Sequence, residues 1–179
     1  MLRALALLCA AGGASAAAVM NADPCNKTDA NQLWRVNASH SAPHAASHQL
    51  AVVTPEAGER CAALTVAAAD CAVADFAFVS TADCAPAACA LAQGFDVLDA
   101  ATGLPAPAGK ACAKCVVRSR LNSSLCVGVG AELGGVQWRV SAADAGGLQT
   151  LEMVGAFEPL CLASGFEPSA YPISLQECD

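Results

Sequence analysis

In the stretch Pro24-Cys25-Asn26-Lys27-Thr28-Asp29-Ala30-Asn31-Gln32-Leu33-Trp34-Arg35-Val36, a cysteine, a polar turn and a Gln-x-Trp element follow one another. The closing element recurs far along the chain as Val136-Gln137-Trp138-Arg139-Val140. Two cysteine-centred elements, Leu160-Cys161-Leu162-Ala163-Ser164 and Ile173-Ser174-Leu175-Gln176-Glu177-Cys178-Asp179, come later still. Short units that recur in this way mark a fold built from repeats. Further apolar runs lie between them, among them Gln49-Leu50-Ala51-Val52-Val53, Cys61-Ala62-Ala63-Leu64-Thr65-Val66, Phe76-Ala77-Phe78-Val79 and Cys115-Val116-Val117-Arg118. Gly, Pro, Asp and Ser turns separate these runs, which predicts an all-β chain. Past the first residues, no long stretch carries the 3.6-residue apolar period of an amphipathic helix. Alanine is a poor strand former, so short helical or irregular turns also fit the alanine-rich segments 67–74 and 85–92.

The chain opens Met1-Leu2-Arg3, runs apolar over residues 4–11 and turns to small residues over 12–18, the order of a secretory signal peptide. Residues 1–17 are read as that signal and 18–179 as one mature domain with a single core. The apolar run falls short of the ~20 residues a bilayer span needs, and Gly, Pro or charge interrupts every later segment, so no membrane span is expected. Of the 11 cysteines, Cys9 leaves with the signal. Cys25, Cys61, Cys71, Cys84, Cys89, Cys112, Cys115, Cys126, Cys161 and Cys178 remain, an even set that predicts five disulfides in an oxidising compartment. Sequons at Asn26, Asn37 and Asn122 predict a secreted glycoprotein. The formal charge is -7, with 9 Lys and Arg scattered singly. No basic stripe exists to neutralise phosphates, which argues against a nucleic-acid partner. Apolar residues make up 55% of the chain, but alanine supplies much of that share, against 2 Trp, 1 Tyr and 5 Phe. Cross-links, each contributing about 2–4 kcal/mol, are therefore expected to carry much of the stability.

The run Thr28-Asp29-Ala30-Asn31-Gln32-Leu33-Trp34 resembles the galactose-binding lobe of ricin-type β-trefoil lectins, and Cys25 followed by Gln32-Leu33-Trp34 resembles the end of one repeat of that family. The likeness is close here, looser over the last part of the chain and weak in the middle. It implies a β-trefoil of three lobes, closed by Trp34, by Trp138 and, in the region 71–78, by Phe76 or Phe78. It also implies a permuted order, because the chain starts with the closing half of a repeat and ends with an opening half. Residues 160–179 are then expected to pair with 17–36 and complete one lobe, as adjacent termini permit. The alternative is that flanking parts of a longer chain are missing. The segment 83–114, with Pro86, Pro105, Pro107 and several cysteines, fits no repeat and is expected to be a cysteine-rich insertion or long loop.

In this family the tryptophan of Gln-x-Trp packs at the centre and the glutamine ties backbone together beneath the sugar. The resemblance therefore makes Gln32, Trp34, Gln137 and Trp138 fold residues. Sugar contact in the family comes from an aspartate two residues after the repeat's first cysteine, an aromatic platform before its second, and an asparagine just before Gln-x-Trp. Asn31 matches the asparagine, with Asp29 beside it. The aspartate's place is Ala163 after Cys161, Gly128 after Cys126 and Ala63 after Cys61, and Gln176 stands at a platform position. Neither alanine nor glycine accepts sugar hydroxyls as a carboxylate does. Tyr171 or Phe166 is available for stacking, and Glu167 or Glu177 for the carboxylate. Two readings stay open: a pocket rebuilt around Asn31, Asp29, Tyr171 and Phe166, or a trefoil that kept its core and lost or moved its site.

The other constellations have plainer readings. His40, His44 and His48 have the spacing of ligands on a helix face, but Pro43 breaks that helix and a solvated loop is expected. Cys112-Ala113-Lys114-Cys115 has the C-x-x-C form, yet no βαβ pattern or second pair accompanies it, so structural bridging is expected. No Ser-His-Asp set, nucleophile elbow or phosphate loop is present. Asp70, Asp75, Glu152 and Glu158 are no more than any acidic secreted chain offers a glycosidase. The resemblance and these absences lead to a secreted, non-enzymatic, lectin-like module for galactose-type glycans, with no metal or cofactor. Two alternatives stand beside it: the carbohydrate-binding remnant or accessory module of a secreted glycoside hydrolase, and an extracellular interaction or inhibitor trefoil that binds no sugar. The sequence is silent on oligomeric state.

Overall fold

The computed structural model of the chain describes residues 19–38, 48–54, 58–64, 79–84, 93–129, 136–165 and 172–178. Twelve strands and one 3₁₀ turn make up the regular structure of these residues, as the turn-punctuated sequence predicts. In chain order they are β1 (Val19–Pro24), the turn Ala30–Gln32, β2 (Trp34–Ala38), β3 (His48–Thr54), β4 (Gly58–Leu64), β5 (Val79–Asp83) and β6 (Phe95–Asp99). There follow β7 (Cys112–Ser119), β8 (Leu125–Val129), β9 (Gln137–Val140), β10 (Leu151–Met153), β11 (Leu160–Gly165) and β12 (Ile173–Glu177). Hydrogen-bonded neighbours lead from β1 through β11, β10, β9, β7, β6, β3, β4 and β5 back to β1, every pair antiparallel. The sheet thus curls closed on itself and leaves no edge along this circuit. Outside the circuit, β2 hangs on β3, and β12 reaches β7 through β8.

The pairings contain the same arrangement three times. Trp34 of β2 lies opposite Val52, and Val36 opposite Leu50. Phe95 of β6 lies opposite Ser119 and Val97 opposite Val117, while Trp138 of β9 lies opposite Met153 and Val140 opposite Leu151. Each aromatic also bridges to the next unit, Trp34 to Gln149, Phe95 to His48 and Trp138 to Cys115. Trp34, Phe95 and Trp138 are fully buried in one cluster with Met20, Leu50, Leu151, Leu162 and Ile173. The residue after each aromatic turns outward to an ion pair: Arg35 to Glu59 at 2.7 Å, Arg139 to Glu152 at 2.7 Å, and Asp96 to Arg118 at 3.1 Å and Arg120 at 3.4 Å. Period-two alternation dictates this split, and the ion pairs, being near the surface, add little beside the core.

The disulfides repeat with the strands. Strand β4 pairs with β5, β8 with β12 and β11 with β1, so that Cys61 faces Ala82, Cys126 faces Gln176 and Cys161 faces Asp23. In each pair that first cysteine bonds the cysteine two residues beyond its opposite number, giving Cys61–Cys84, Cys126–Cys178 and Cys25–Cys161 with Cα separations of 5.0, 5.1 and 4.9 Å. A fourth bond, Cys112–Cys115, spans the point where β7 shifts register against β9, in line with the structural reading of that motif. Cys71 and Cys89 lie outside the described residues. Intact-mass measurement of the deglycosylated mature chain should find ten hydrogens missing for five disulfides, with no thiol titrating under denaturing conditions. Two titrating thiols would leave Cys71 and Cys89 unpaired. Several disulfides fit an oxidising, extracellular setting. Among the described residues no helix is long and apolar enough to cross a membrane.

Two expectations change. Residues 160–165 do pair with the first strand, but Ile173–Glu177 pairs with β8 and completes a different unit. The segment 83–114 is not wholly an insertion: Phe95–Asp99 is β6, its aromatic in the core, and β7 begins at Cys112. Within it, Asp99 Oδ1 accepts hydrogen bonds from the Ala101 amide and from the amide and hydroxyl of Thr102. The Thr102 bonds lead in holding the Asp99 carboxyl below its ordinary pKa.

Candidate functional site

The polar turn between β1 and β2 is fixed from within. Asp29 Oδ1 accepts from the Asn31 amide at 2.9 Å and caps the 3₁₀ turn, whose Leu33 amide returns to the Ala30 carbonyl. Buried Gln32 staples the turn to the end of β1, since its Nε2 donates to the Pro24 carbonyl at 3.0 Å and its Oε1 accepts from the Asn26 amide at 2.7 Å. The Cys25 amide donates to the Pro159 carbonyl at 2.9 Å, and the Cys25–Cys161 bond ties the same corner to β11. Beneath, Trp34 Nε1 donates to the Leu162 carbonyl at 2.8 Å.

Met20 and Ala22 belong to the core, so alternation sends Asn21 and Asp23 to the other side of β1. On that side Asn21 lies opposite Ala163 and Asp23 opposite Cys161. Asn21 and Ala163 are buried and Asp23 is partly exposed. Strand β11 is buried along nearly its whole length, with both sides covered, which explains a residue as small as alanine at 163. Asn31 is partly buried; its Oδ1 is shut off from solvent and has no hydrogen-bond partner among the described residues. An acceptor left in this state costs about 1–3 kcal/mol.

The structure therefore brings Asn31, Asp29 and Gln32 together on one turn over Trp34. Asp29 is engaged in the cap; Asp23, one residue before the Pro24 carbonyl that Gln32 holds, is a carboxylate of this corner that sequence reading did not single out. The register identifies it: with Cys25 as the second cysteine of this strand pair, Asp23 takes the place that Gln176 holds in the β8–β12 pair. Tyr171 and Phe166 lie outside the described residues, as do Glu167, Phe76, Phe78, His40 and His44. Pro172, which follows Tyr171, bridges Asn21 of β1. Trp138 repeats the role of Trp34, with Nε1 donating to the Val127 carbonyl at 2.8 Å, one residue beyond Cys126 as Leu162 is one beyond Cys161. Gln137 does not repeat Gln32. Two residues before Trp138 stands buried Val136, so the amide staple is absent there. The third aromatic is Phe95, and buried Gln93 precedes it at the same Gln-x-aromatic spacing. That spacing was the available signal.

Asn26 and Asn122 are exposed on turns, and Asn37 lies within β2. Among the described residues, no three of His, Cys, Asp and Glu come together as a metal site. Comparison with protein-family models, with curated proteins and with solved structures gives no match.

Proposed function

We propose that the chain is a secreted β-trefoil of ricin-type character that binds galactose-type glycans without catalysis, at the face made by β1, β11 and the Asn31 turn. The observation that carries this reading is the turn itself. Gln32 and Asp29 hold it from both sides, on one of three repeated disulfide-and-aromatic frames, with an unpaired amide at Asn31. In sequence, the corresponding places before Gln93 and Val136 are Ala92 and Gly135, which offer a sugar nothing to bond. A turn already fixed loses little conformational entropy on binding. Asn31 supplies its amide Nδ2 as a donor to a sugar hydroxyl, and Asp23 takes the carboxylate's part that Ala163 cannot.

So few contacts give modest affinity. Titration with galactose or lactose, followed by NMR, is expected to give a millimolar Kd, equivalent to about -4 kcal/mol. Asn31→Ala should abolish it, and Asp23→Asn should weaken it about tenfold, since a hydrogen bond to a charged group is worth about 1.5–3 kcal/mol. Binding that survives Asn31→Ala would move the pocket elsewhere. A blank glycan array would favour the interaction-protein alternative.

A further inference from the structure

The sequons at Asn26 and Asn122 share one geometry. Asn26 Oδ1 accepts from the Thr28 amide at 3.1 Å and the Thr28 hydroxyl at 2.8 Å; Asn122 Oδ1 accepts from the Ser124 amide at 3.1 Å and the Ser124 hydroxyl at 2.8 Å. Both asparagines are exposed. Their surroundings differ. Asn26 is part of the Asn31 turn, because its amide donates to Gln32 Oε1 and its carbonyl accepts from the Asp29 amide at 3.0 Å. Asn122 sits in the turn before β8, where its carbonyl accepts from the Leu125 amide at 3.1 Å.

We infer that Asn26 carries an N-linked glycan that covers the Asn31 turn and lowers its affinity for free glycans; this rests on the sugar-binding reading above. The modification takes an oligosaccharide from a lipid pyrophosphate donor. The sugar C1–Nδ2 bond forms as the C1–O bond to the donor breaks, the amide proton leaves to base, and the lipid pyrophosphate departs. A chain attached five residues before Asn31, on the turn that Gln32 clamps, stays at millimolar effective concentration over the face. A pocket of millimolar affinity is then filled by this competitor for about half the time. Among the described residues Asn122 has no bond to the Asn31 turn, and it sits in the turn before β8, so its glycan serves as the comparison.

The test uses the mature protein secreted from eukaryotic cells. Mass analysis of glycopeptides reads occupancy at Asn26, and NMR titration with lactose reads affinity. The expected result is an occupied Asn26, with affinity rising about twofold in Asn26→Gln and in Thr28→Ala, and unchanged in Asn122→Gln. Trimming the folded wild-type glycoprotein to single residual sugars with an endoglycosidase should give the same rise without any substitution. An unoccupied Asn26, or an affinity that neither trimming nor either variant alters, would overturn the inference while leaving the sugar site standing. Failure of every form, trimmed or not, to bind any glycan would overturn both.

Discussion

Replacing Trp34 by alanine is expected to cost about 3–5 kcal/mol, and Trp138→Ala as much, measured by urea unfolding of the disulfide-intact chain. Each indole is fully buried in the central cluster, and each also donates to a strand carbonyl, at Leu162 or Val127. Truncation opens a cavity and leaves that carbonyl unpaired, two penalties at one site. Phenylalanine separates them. Phe95 fills the equivalent place in the third unit with no donor, so Trp34→Phe should cost only the lost hydrogen bond and a small packing term, about 1–3 kcal/mol. A Trp34→Ala variant as stable as the parent would remove the tryptophan from the core.

The second large effect concerns the disulfide that closes the longest loop. Cys25 and Cys161 are 136 residues apart, against 3 for Cys112 and Cys115. On the chain-entropy account the first restricts the unfolded chain by about 5 kcal/mol and the second by less than about 2 kcal/mol. The double variant Cys25→Ala/Cys161→Ala should therefore lose most of the protein's stability, and Cys112→Ala/Cys115→Ala should lose far less. Equal losses, read from paired unfolding curves, would mean that local strain at the corner or the bulge outweighs loop closure. The first variant also removes the covalent tie between β1 and β11 beside the Asn31 turn; on the proposed sugar-binding reading, glycan affinity falls with stability.

The sequence made the strand character legible because turn residues punctuate apolar runs too short for helices. It also showed Trp34 and Trp138, since a large aromatic after a polar turn has few uses other than a core. Phe95 was not legible, because no cysteine and polar turn lead into it as they do into Trp34, and the Gln93-Gly94-Phe95 spacing sits within a proline-rich and cysteine-rich segment that reads as a loop. The partner of Cys161 was equally hidden. Cys25, Cys84 and Cys178 each stand one residue past a strand, and only register distinguishes Cys25 from Cys178 as the partner of Cys161. Asp23 followed from that distinction, for a carboxylate two residues before a cysteine means nothing until its opposite number is known. Asn31 and Asp29 were legible as a pair. The part Asp29 plays was not, because a short acidic side chain caps a turn as readily as it faces a ligand.

The pairing of β1 with β11 has a consequence for how the protein is made. A ribosome delivers β1 long before its partner, since Cys161 emerges 136 residues after Cys25. Until then the strand has only its short pairing with β5 and lacks its disulfide, and any cysteine that appears sooner competes for Cys25. Folding as the chain emerges can proceed through the β4–β5 pair, whose cysteines are 23 residues apart, while the first strand waits. The protein should therefore depend on holdase chaperones and on a disulfide isomerase to a degree that a chain whose first strand pairs with a near neighbour in sequence would not.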